Sequence, residues 1–259
     1  MRIKIEFDTK IFPRYYNTLG VSLIKEAIKK SSEDYFINLY YYKEKSNKAS
    51  KNFVFSFFIK NYEINKEDFL VKDRVVLYIS TPDLELGLHI YNGIINTKTF
   101  KYKDYEMTRL KVSLIKEAEI TEEEVVFNTL SPICIKDSNG KFLDIDSDNY
   151  VDELNYIADI ILKNYRGYGL NKKLEFKNIN LKKVVVKESL RQFREITNRD
   201  YQYVNSYKGS FRLKGNNEDL NDIYKLGLSH KRGQGFGNLE VVNGRWYFWS
   251  LEYIWTTGL

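Results

Sequence analysis

The alternation of hydrophobic and polar residues changes its period several times along the first 120 residues. In "RIKIEF" (2–7) every second residue is apolar, as in a half-buried strand, whereas Leu19, Leu23 and Ile24 recur at helical spacing. The predicted elements are strand 2–7, helix 18–32, strands 51–59 and 73–81, helix 81–95 with Thr81 as its cap, and strand 107–120. The order strand, helix, strand, strand, helix, strand predicts a ferredoxin-like fold.

The pattern repeats, less regularly, in the second half of the chain. Its predicted elements are short strands and a hairpin in 124–145, a helix over 148–165, strand-forming segments 174–188 and 204–215, a helix over 216–228 and a closing strand over 237–242. We therefore predict an α+β fold of two tandem ferredoxin-like (RRM-like) domains, each an antiparallel sheet with helices on one face. The expected divisions are 1–122, 123–243 and an aromatic tail, 244–259, whose role the sequence does not explain.

Composition narrows the classes of function. The chain has 259 residues, of which 41 are Lys or Arg and 35 are Asp or Glu, so its formal net charge is +6. This moderate excess favours an anionic partner. Cys134 is the one cysteine, which excludes an internal disulfide and makes the cytoplasm the expected compartment. No stretch approaches the ~20 apolar residues of a membrane span. Two scattered histidines and one cysteine provide no metal-ligand cluster.

A glycine segment, "GLSHKRGQGFGNLEVV" (227–242), places a basic pair close to the end of the sequence. Glycines let the backbone approach a ligand closely, and Lys231 and Arg232 indicate that this ligand carries phosphates. The glycines follow a predicted helix and precede a strand, whereas a dinucleotide fingerprint lies between a strand and a following helix. The Walker A pattern does not occur in the sequence either. The segment therefore favours a nucleic-acid backbone over a nucleotide cofactor.

Three stretches together resemble one protein family. They are the opening strand and helix, "VVFNTLSPICI" (125–135), and the helix followed by the glycine segment, 218–238. This combination is similar to the CRISPR-associated repeat-RNA endoribonucleases of the RAMP superfamily, the Cas6 family, whose hallmark is a C-terminal glycine loop ending in Gly-aromatic-Gly. The matching residues are Gly227, Gly233, Gly235, Phe236 and Gly237. Ser229 stands where the family has a further glycine.

The resemblance implies a protein that binds CRISPR repeat RNA and cuts it without a metal ion or cofactor. The RNA's own 2′-hydroxyl would attack the adjacent phosphate, leaving a 2′,3′-cyclic phosphate and a 5′-hydroxyl. Repeat RNA is the main implied partner. Proteins of a CRISPR effector complex and a second copy of the chain, as a homodimer, are further candidates, and no membrane is expected. The expected RNA contacts are Gly227, His230, Lys231, Arg232, Gly233, Gly235, Phe236, Gly237, Lys172, Lys173, Lys182, Lys183, Arg191 and Arg194.

Members of the family carry a catalytic histidine just after the first long helix, and this chain has none there. His89 lies in the second predicted helix, where packing or a surface position is its expected role, and His230 lies in the glycine segment. The position of the family's histidine falls at or beside Tyr40, and Lys51 matches a lysine near the scissile phosphate. The candidate catalytic residues are Tyr40, Tyr41, Lys48 and Lys51. A tyrosine with the ordinary pKa of about 10 is a poor base, whereas lysines can neutralise charge in the transition state.

Two alternatives stay open at this point. The missing histidine permits a protein that binds repeat RNA and has lost cleavage. The glycine-aromatic strand alone would also suit a generic RRM-like RNA-binding protein outside CRISPR systems. Residues 43–51 can equally be a solvated basic loop, and the lysines of 172–187 can protect an edge strand. The combined motifs favour the metal-independent endoribonuclease.

Overall fold

The computed structural model describes residues 1–42, 45–47, 49–188, 191–198 and 200–242. Lys48, the tail 244–259 and the side chain of Arg191 lie outside the described part. The helices are α1 (Asn17–Ser31), α2 (Glu33–Tyr40), α3 (Leu84–Ile95), α4 (Tyr150–Arg166), α5 (Arg191–Thr197) and α6 (Asn217–Leu226), with a 3₁₀ turn over Arg232–Gln234. None of these helices is long and apolar enough to cross a membrane.

The strands divide between the two halves of the chain. Those of the first half are β1 (Arg2–Asp8), β2 (Ile11–Pro13), β3 (Tyr41–Tyr42), β4 (Lys45–Ser46), β5 (Val54–Asn65), β6 (Asp68–Ser80), β7 (Thr99–Tyr102) and β8 (Tyr105–Ile115). Those of the second half are β9 (Glu124–Thr129), β10 (Glu175–Asn178), β11 (Lys182–Glu188), β12 (Gln202–Lys208), β13 (Ser210–Lys214) and β14 (Leu239–Val241).

The first half folds around an antiparallel sheet that contains the order β8-β1-β6-β5. The short strands β2 and β7 extend it, beside β6 and β8. Helices α1 and α3 bury one face of the sheet, because their apolar positions recur at helical spacing. The core between helices and sheet includes Ile3, Ile5, Ile24, Phe55, Leu77 and Ile90. This is the predicted ferredoxin-like arrangement, in which the first strand lies between the third and the fourth.

The second half repeats this arrangement with the order β14-β9-β13-β10. Helices α4 and α6 pack on its sheet, and the core includes Phe127, Leu154, Ile161, Phe211, Leu213 and Ile223. The predicted fold class is therefore confirmed. A boundary near residue 122, between β8 and β9, stays a prediction. The strand-forming segments 174–188 and 204–215 each divide into two strands, because β11 and β12 form a separate antiparallel hairpin inserted between β10 and β13.

Two local expectations differ from the structure. The cap of α3 is Asp83 and not Thr81: the Asp83 carboxylate accepts from the Leu86 amide at 3.0 Å, while the Thr81 hydroxyl donates to Asn52 O. Helix α2 was not predicted. It has no fully buried residue, and its aromatic side chains, among them Phe36 and Tyr40, pack only at the rim of the core.

The two halves meet along β14 and the glycine segment. The buried guanidinium of Arg2 donates to Leu239 O at 2.9 Å and lies 3.2 Å from a carboxylate oxygen of Glu240. The side-chain amide of Asn17, at the start of α1, donates to Gln234 O at 2.7 Å. The glycine segment of the second half is therefore held against the first helix of the first half.

Candidate functional site

The glycine segment folds back on itself between α6 and β14. Gly227 and Gly237 have positive φ angles of 79° and 77°, and the Leu228 amide donates to Gly237 O at 3.0 Å. A Cβ at Gly237 would lie 2.5 Å from the Cβ of Ser229, and one at Gly227 would lie 2.6 Å from Gly237 O. At Gly233, by contrast, an added Cβ would meet nothing nearer than 3.8 Å. Two of the motif glycines are therefore required by the path of the backbone itself.

Ser229, which replaces a glycine of the family motif, has a structural role. Its buried hydroxyl accepts from the Cys134 amide at 2.9 Å and donates to Cys134 O at 3.0 Å. The Gly237 amide donates to Pro132 O at 2.8 Å. The glycine segment thus lies against the "SPIC" stretch, so two of the stretches that carried the family resemblance are neighbours in space. Burial raises the pKa of the Cys134 thiol to about 12, which keeps the thiol protonated.

His230 faces the protein at this point. Its Nδ1 accepts from the Lys136 amide at 3.2 Å, which assigns the proton to Nε2. Burial, with the Lys136 charge as a smaller cause, lowers the pKa of His230 to about 4. The ring is therefore neutral at neutral pH and carries no charge toward a phosphate. Its expected contact with RNA stays a prediction.

The basic pair of the glycine segment is engaged within the protein. Lys231 forms an ion pair with the buried carboxylate of Glu188, at the end of β11. Arg232 is 3% exposed and donates to Leu226 O at 2.7 Å and to Ser50 Oγ at 3.0 Å. Burial lowers the pKa of Arg232 to about 10, so the guanidinium is still charged at neutral pH. Contacts between this pair and phosphates stay a prediction. The burial of Arg232 does not favour a phosphate contact by its guanidinium.

The hydrogen bond to Ser50 connects the glycine segment to the candidate catalytic residues. Lys51 follows Ser50, and its ammonium lies 5.4 Å from the ring centre of Tyr40. A second ammonium, that of Lys25 in α1, lies 4.7 Å from the same ring centre. We name Lys25, Tyr40 and Lys51 the lysine–tyrosine cluster. The structure therefore places the two separately predicted regions side by side.

Lys25 was missed by the sequence analysis. It is an exposed position of an amphipathic helix, and a lysine there looks like ordinary solvated surface. Tyr40, at the end of α2, meets Lys25 only in the folded chain. Tyr41 is 46% exposed and contacts Phe36 at the edge of the ring, which places it outside the cluster.

Burial and charge set the chemistry of the lysine–tyrosine cluster. Burial raises the pKa of Tyr40 far above its usual value, so the phenol is a proton donor and not a base. Burial, assisted by the Lys25 charge, lowers the pKa of Lys51, whose ammonium also donates to Asn47 O at 3.3 Å. The cluster can therefore supply two cations and one neutral hydroxyl to a phosphate. It supplies no efficient base near neutral pH.

The other predicted basic contacts lie on the surface of the second half. Three of these lysines form exposed ion pairs: Lys172 with Glu123, Lys173 with Asp152 and Lys183 with Asp144. Exposed pairs of this kind contribute about 0 to 1 kcal/mol, so phosphates can replace the carboxylates at little cost. Lys182 and Arg194 are also exposed.

A second contact between a lysine ammonium and tyrosine rings was not predicted from the sequence. The Lys187 ammonium lies 3.7 Å from the ring centre of Tyr201 and 4.8 Å from that of Tyr15. This contact joins the β11–β12 hairpin to the loop before α1, one residue away from Glu188 and its partner Lys231. Residues so far apart in the chain leave no local sequence signal. In the described part of the chain, His, Cys, Asp and Glu side chains form no group of three that can hold a metal ion.

A family comparison identifies the second half of the chain. Residues 115–241 match the family described as CRISPR associated protein Cas6, C-terminal. The chain carries a Cas6 C-terminal domain. The match spans the glycine segment and the "SPIC" stretch, so the resemblance to the Cas6 family predicted from the sequence is confirmed. No curated protein sequence matches the chain significantly.

Solved structures extend the likeness to nearly the whole chain. A Cas6-related protein from Pyrococcus furiosus superposes with a TM-score of 0.77 at 23% identity, covering 94% of this chain and 98% of that one. A RAMP protein described as binding different RNA substrates gives 0.76 at 21%, covering 94% and 100%. A CRISPR associated protein Cas6 gives 0.74 at 19%, covering 94% and 99%. At these identities the likeness establishes the fold, including the part before the Cas6 C-terminal domain.

Proposed function

We propose that this Cas6-related protein binds CRISPR repeat RNA and cleaves it without a metal ion, using the RNA's own 2′-hydroxyl. The observation that carries the proposal is the position of the lysine–tyrosine cluster beside the glycine segment, to which Ser50 and Arg232 connect it. The Cas6 C-terminal domain supports the choice of RNA. A relative of similar fold is described as binding different RNA substrates. Proteins of a CRISPR effector complex are the further partners that go with this function, and the cytoplasm is its compartment.

In the proposed reaction, the 2′-oxygen forms a bond to the adjacent phosphorus while the bond from phosphorus to the 5′-oxygen breaks. The 2′-hydroxyl loses a proton to solvent water and the departing 5′-oxygen gains one from solvent water, so the reaction consumes no proton overall. The ammonium groups of Lys25 and Lys51 neutralise the charge that builds on the non-bridging oxygens, which is often the largest contribution to such catalysis. The phenol of Tyr40 donates a hydrogen bond and orients the reacting groups. Residues 35–53 contain no histidine, so we expect slow cleavage.

A second candidate function is a repeat-RNA binding protein that has lost cleavage. The raised pKa of Tyr40 favours it, because the residue at the histidine's position cannot accept a proton near pH 7. The same cations would then bind the phosphate without activating it.

The decisive experiment incubates the full chain with the host's own repeat RNA in EDTA and identifies the ends of the products. We expect a 2′,3′-cyclic phosphate and a 5′-hydroxyl. The control RNA carries a single 2′-deoxy nucleotide just upstream of the cut, and it should bind normally and stay intact. Cleavage of the control, or a strict requirement for Mg²⁺, would indicate hydrolysis and contradict the proposal. Tight binding of both RNAs without cleavage would establish the second candidate.

A further inference from the structure

Helix α2 carries Tyr40 at its end, yet little of this helix is buried. It spans Glu33–Tyr40, none of its residues is fully buried, and its aromatic side chains pack only at the rim of the first core. A helix of this length is not stable by itself in water. The direction of α2, and with it the position of Tyr40, therefore depends on the contacts that fix the helix to its neighbours.

Two adjacent serines form the junction between α1 and α2. Ser32 is the N-cap of α2, and its hydroxyl accepts from the Tyr35 amide at 3.2 Å. Ser31 is the last residue of α1, and its hydroxyl forms a hydrogen bond of 3.0 Å with Nδ1 of His89 in α3. The junction is therefore tied both to the helix that follows it and to α3.

His89 contacts this junction from both sides. Besides its bond to Ser31, its imidazole stacks on the ring of Tyr35 in α2, with 4.0 Å between the ring centres and 24° between the planes. Burial, with the charges of Asp83 and Glu85 as smaller causes, raises the pKa of Tyr35 to about 12, so the stacked phenol is neutral at neutral pH. One side chain of α3 thus contacts the end of α1 and the first turn of α2.

Helix α3 is a firm support for His89. Leu86 and Ile90, on either side of His89 in the sequence, are fully buried in the first core. Gly93 lies so close to α1 that a Cβ there would clash with the backbone of Ala27. Since α3 is fixed against α1, the contacts of His89 fix α2 relative to α1 as well.

We propose that His89 is a positioning residue for cleavage, which sets the angle between α1 and α2 and so places Tyr40 against Lys25. The inference rests on the proposed function of the lysine–tyrosine cluster. The Lys25 ammonium belongs to α1 and the Tyr40 ring to the end of α2, and 4.7 Å separates the ammonium from the ring centre. The geometry of the cluster therefore follows from the angle at the junction.

The length of α2 makes this angle important. Tyr40 lies about 12 Å along the helix from Ser32 at 1.5 Å per residue, so a tilt of about 15° at the junction would move Tyr40 by about 3 Å. A misplacement of ~1 Å can cost a reaction about 10²-fold in rate. In the described part of the chain, His89 has no hydrogen bond or ring contact with Tyr40, Lys25 or Lys51, so its effect is exerted through Tyr35 and Ser31.

Substitutions at His89 separate its two contacts. His89→Phe keeps a ring against Tyr35 and loses the hydrogen bond to Ser31. His89→Asn keeps a polar atom near the position of Nδ1 and loses the ring, and His89→Ala loses both. The matched control is Leu88→Ala, which changes the neighbouring exposed residue of α3.

We expect His89→Ala to lower the single-turnover rate of cleavage by at least about tenfold, because Tyr40 is no longer held against Lys25. The affinity for repeat RNA should change far less than the rate, since the cations of the cluster remain. His89→Phe or His89→Asn should recover part of the rate, and Leu88→Ala should cleave like the wild type. Recovery by neither variant, together with the loss of an ionisation from the pH dependence of the rate, would make the imidazole a proton-transfer group and overturn the positioning role.

A distance measurement tests the position of α2 without RNA, and so independently of the proposed function. Spin labels on Asn38→Cys in α2 and Asn96→Cys at the end of α3, both exposed positions, report the distance between the helices. The native Cys134 is buried and stays unlabelled. We expect one narrow distance with His89 present and a broader or shifted distribution in the labelled His89→Ala chain.

The two measurements separate failure of this proposal from failure of the proposed function. An unchanged distance distribution in His89→Ala, or a wild-type rate of cleavage by this variant, would overturn the positioning role and leave the cleavage proposal intact. A wild-type chain that does not cleave repeat RNA would contradict the cleavage proposal. A distribution that His89→Ala changes would even then establish that His89 positions Tyr40.

Discussion

Arg232 and Ser50 are 182 positions apart in the sequence, and the guanidinium of one donates a hydrogen bond of 3.0 Å to the hydroxyl of the other. The same guanidinium donates to Leu226 O at 2.7 Å. Through this one side chain, the end of α6, the glycine segment and the candidate catalytic residues become parts of a single site. Arg232 therefore looks like a phosphate ligand in the sequence and acts as an internal connection in the structure.

We predict that Arg232→Met lowers the free energy of unfolding by about 1 to 3 kcal/mol, because Leu226 O loses its buried donor. Urea unfolding measures this change. The slope of log affinity for RNA against log salt concentration should stay the same, since a buried cation neutralises no phosphate. Arg194→Met, at an exposed position of α5, is the stability control and should leave unfolding unchanged. A stable Arg232→Met protein with a salt slope smaller by about 1 would instead place Arg232 in contact with RNA.

The glycines of the motif should differ in their tolerance of a side chain. Gly237→Ala should destabilise the protein by about 1 to 3 kcal/mol or more, because its φ of 77° is strained for alanine and the new Cβ meets Ser229 and Leu228 O. Gly233→Ala should leave the stability almost unchanged, since the added Cβ would lie 3.8 Å from the nearest neighbouring atom. Thermal unfolding of the two variants checks the difference. Equal losses would mean that the backbone path does not determine which glycines are required.

The lysine–tyrosine cluster predicts an order of effects on cleavage. Lys51→Ala should reduce the single-turnover rate on the order of 10²-fold, the effect of losing one transition-state contact. Lys25→Ala should also slow cleavage, whereas Tyr40→Phe should have a smaller effect because the neutral phenol mainly orients the RNA. Lys29→Ala, one turn further along α1 and also exposed, is the control and should cleave normally. If Lys25→Ala cleaved at the wild-type rate, α1 would not contribute to the catalytic site.

An imidazole at the position of the missing histidine should restore a base. Tyr40→His should raise the single-turnover rate near neutral pH, because an imidazole with a pKa near 6.5 accepts a proton far better than the phenol it replaces. The pH dependence of the rate should then show a new ionisation that Tyr40→Phe lacks. If His230→Ala abolishes cleavage while RNA affinity survives, the reaction is centred on the glycine segment, and the placement at Tyr40 and Lys51 is wrong.

His230 predicts a dependence of stability on pH. Its pKa is about 4 in the folded protein and about 6.5 when unfolded, so between these values the unfolded chain binds more protons. The contribution of His230 to the free energy of unfolding should therefore fall as the pH drops from 6.5 to 4, by at most about 1.4 kcal/mol per pH unit. Below pH 4 this contribution should level off. His230→Asn keeps an acceptor for the Lys136 amide and removes this contribution. The difference in unfolding free energy between wild type and variant should shrink from pH 7 to pH 5; a constant difference would contradict the assignment.

The fold class could be predicted because strands and helices space their apolar residues differently. The order of these two spacings in the first half of the chain repeats in the second half. It could not separate the β11–β12 hairpin from the sheet. The strands of the hairpin and of the sheet are all short and mix apolar with polar residues, and which strands pair depends on partners that are distant in the sequence. For the same reason the burial of Arg232 and the position of Lys25 over Tyr40 left no signal. Both depend on contacts that exist only after the two halves have packed together.

The contact between Arg2 and Leu239 joins the second residue of the chain to its last described strand. During synthesis, every strand of the first sheet is available once residue 115 has emerged, whereas β14 emerges more than a hundred residues later. Until then the guanidinium of Arg2, which is 3% exposed in the finished protein, has neither Leu239 O nor Glu240 beside it. The first half can therefore assemble its core early on the ribosome, but the site between the halves is completed only when β14 has been made.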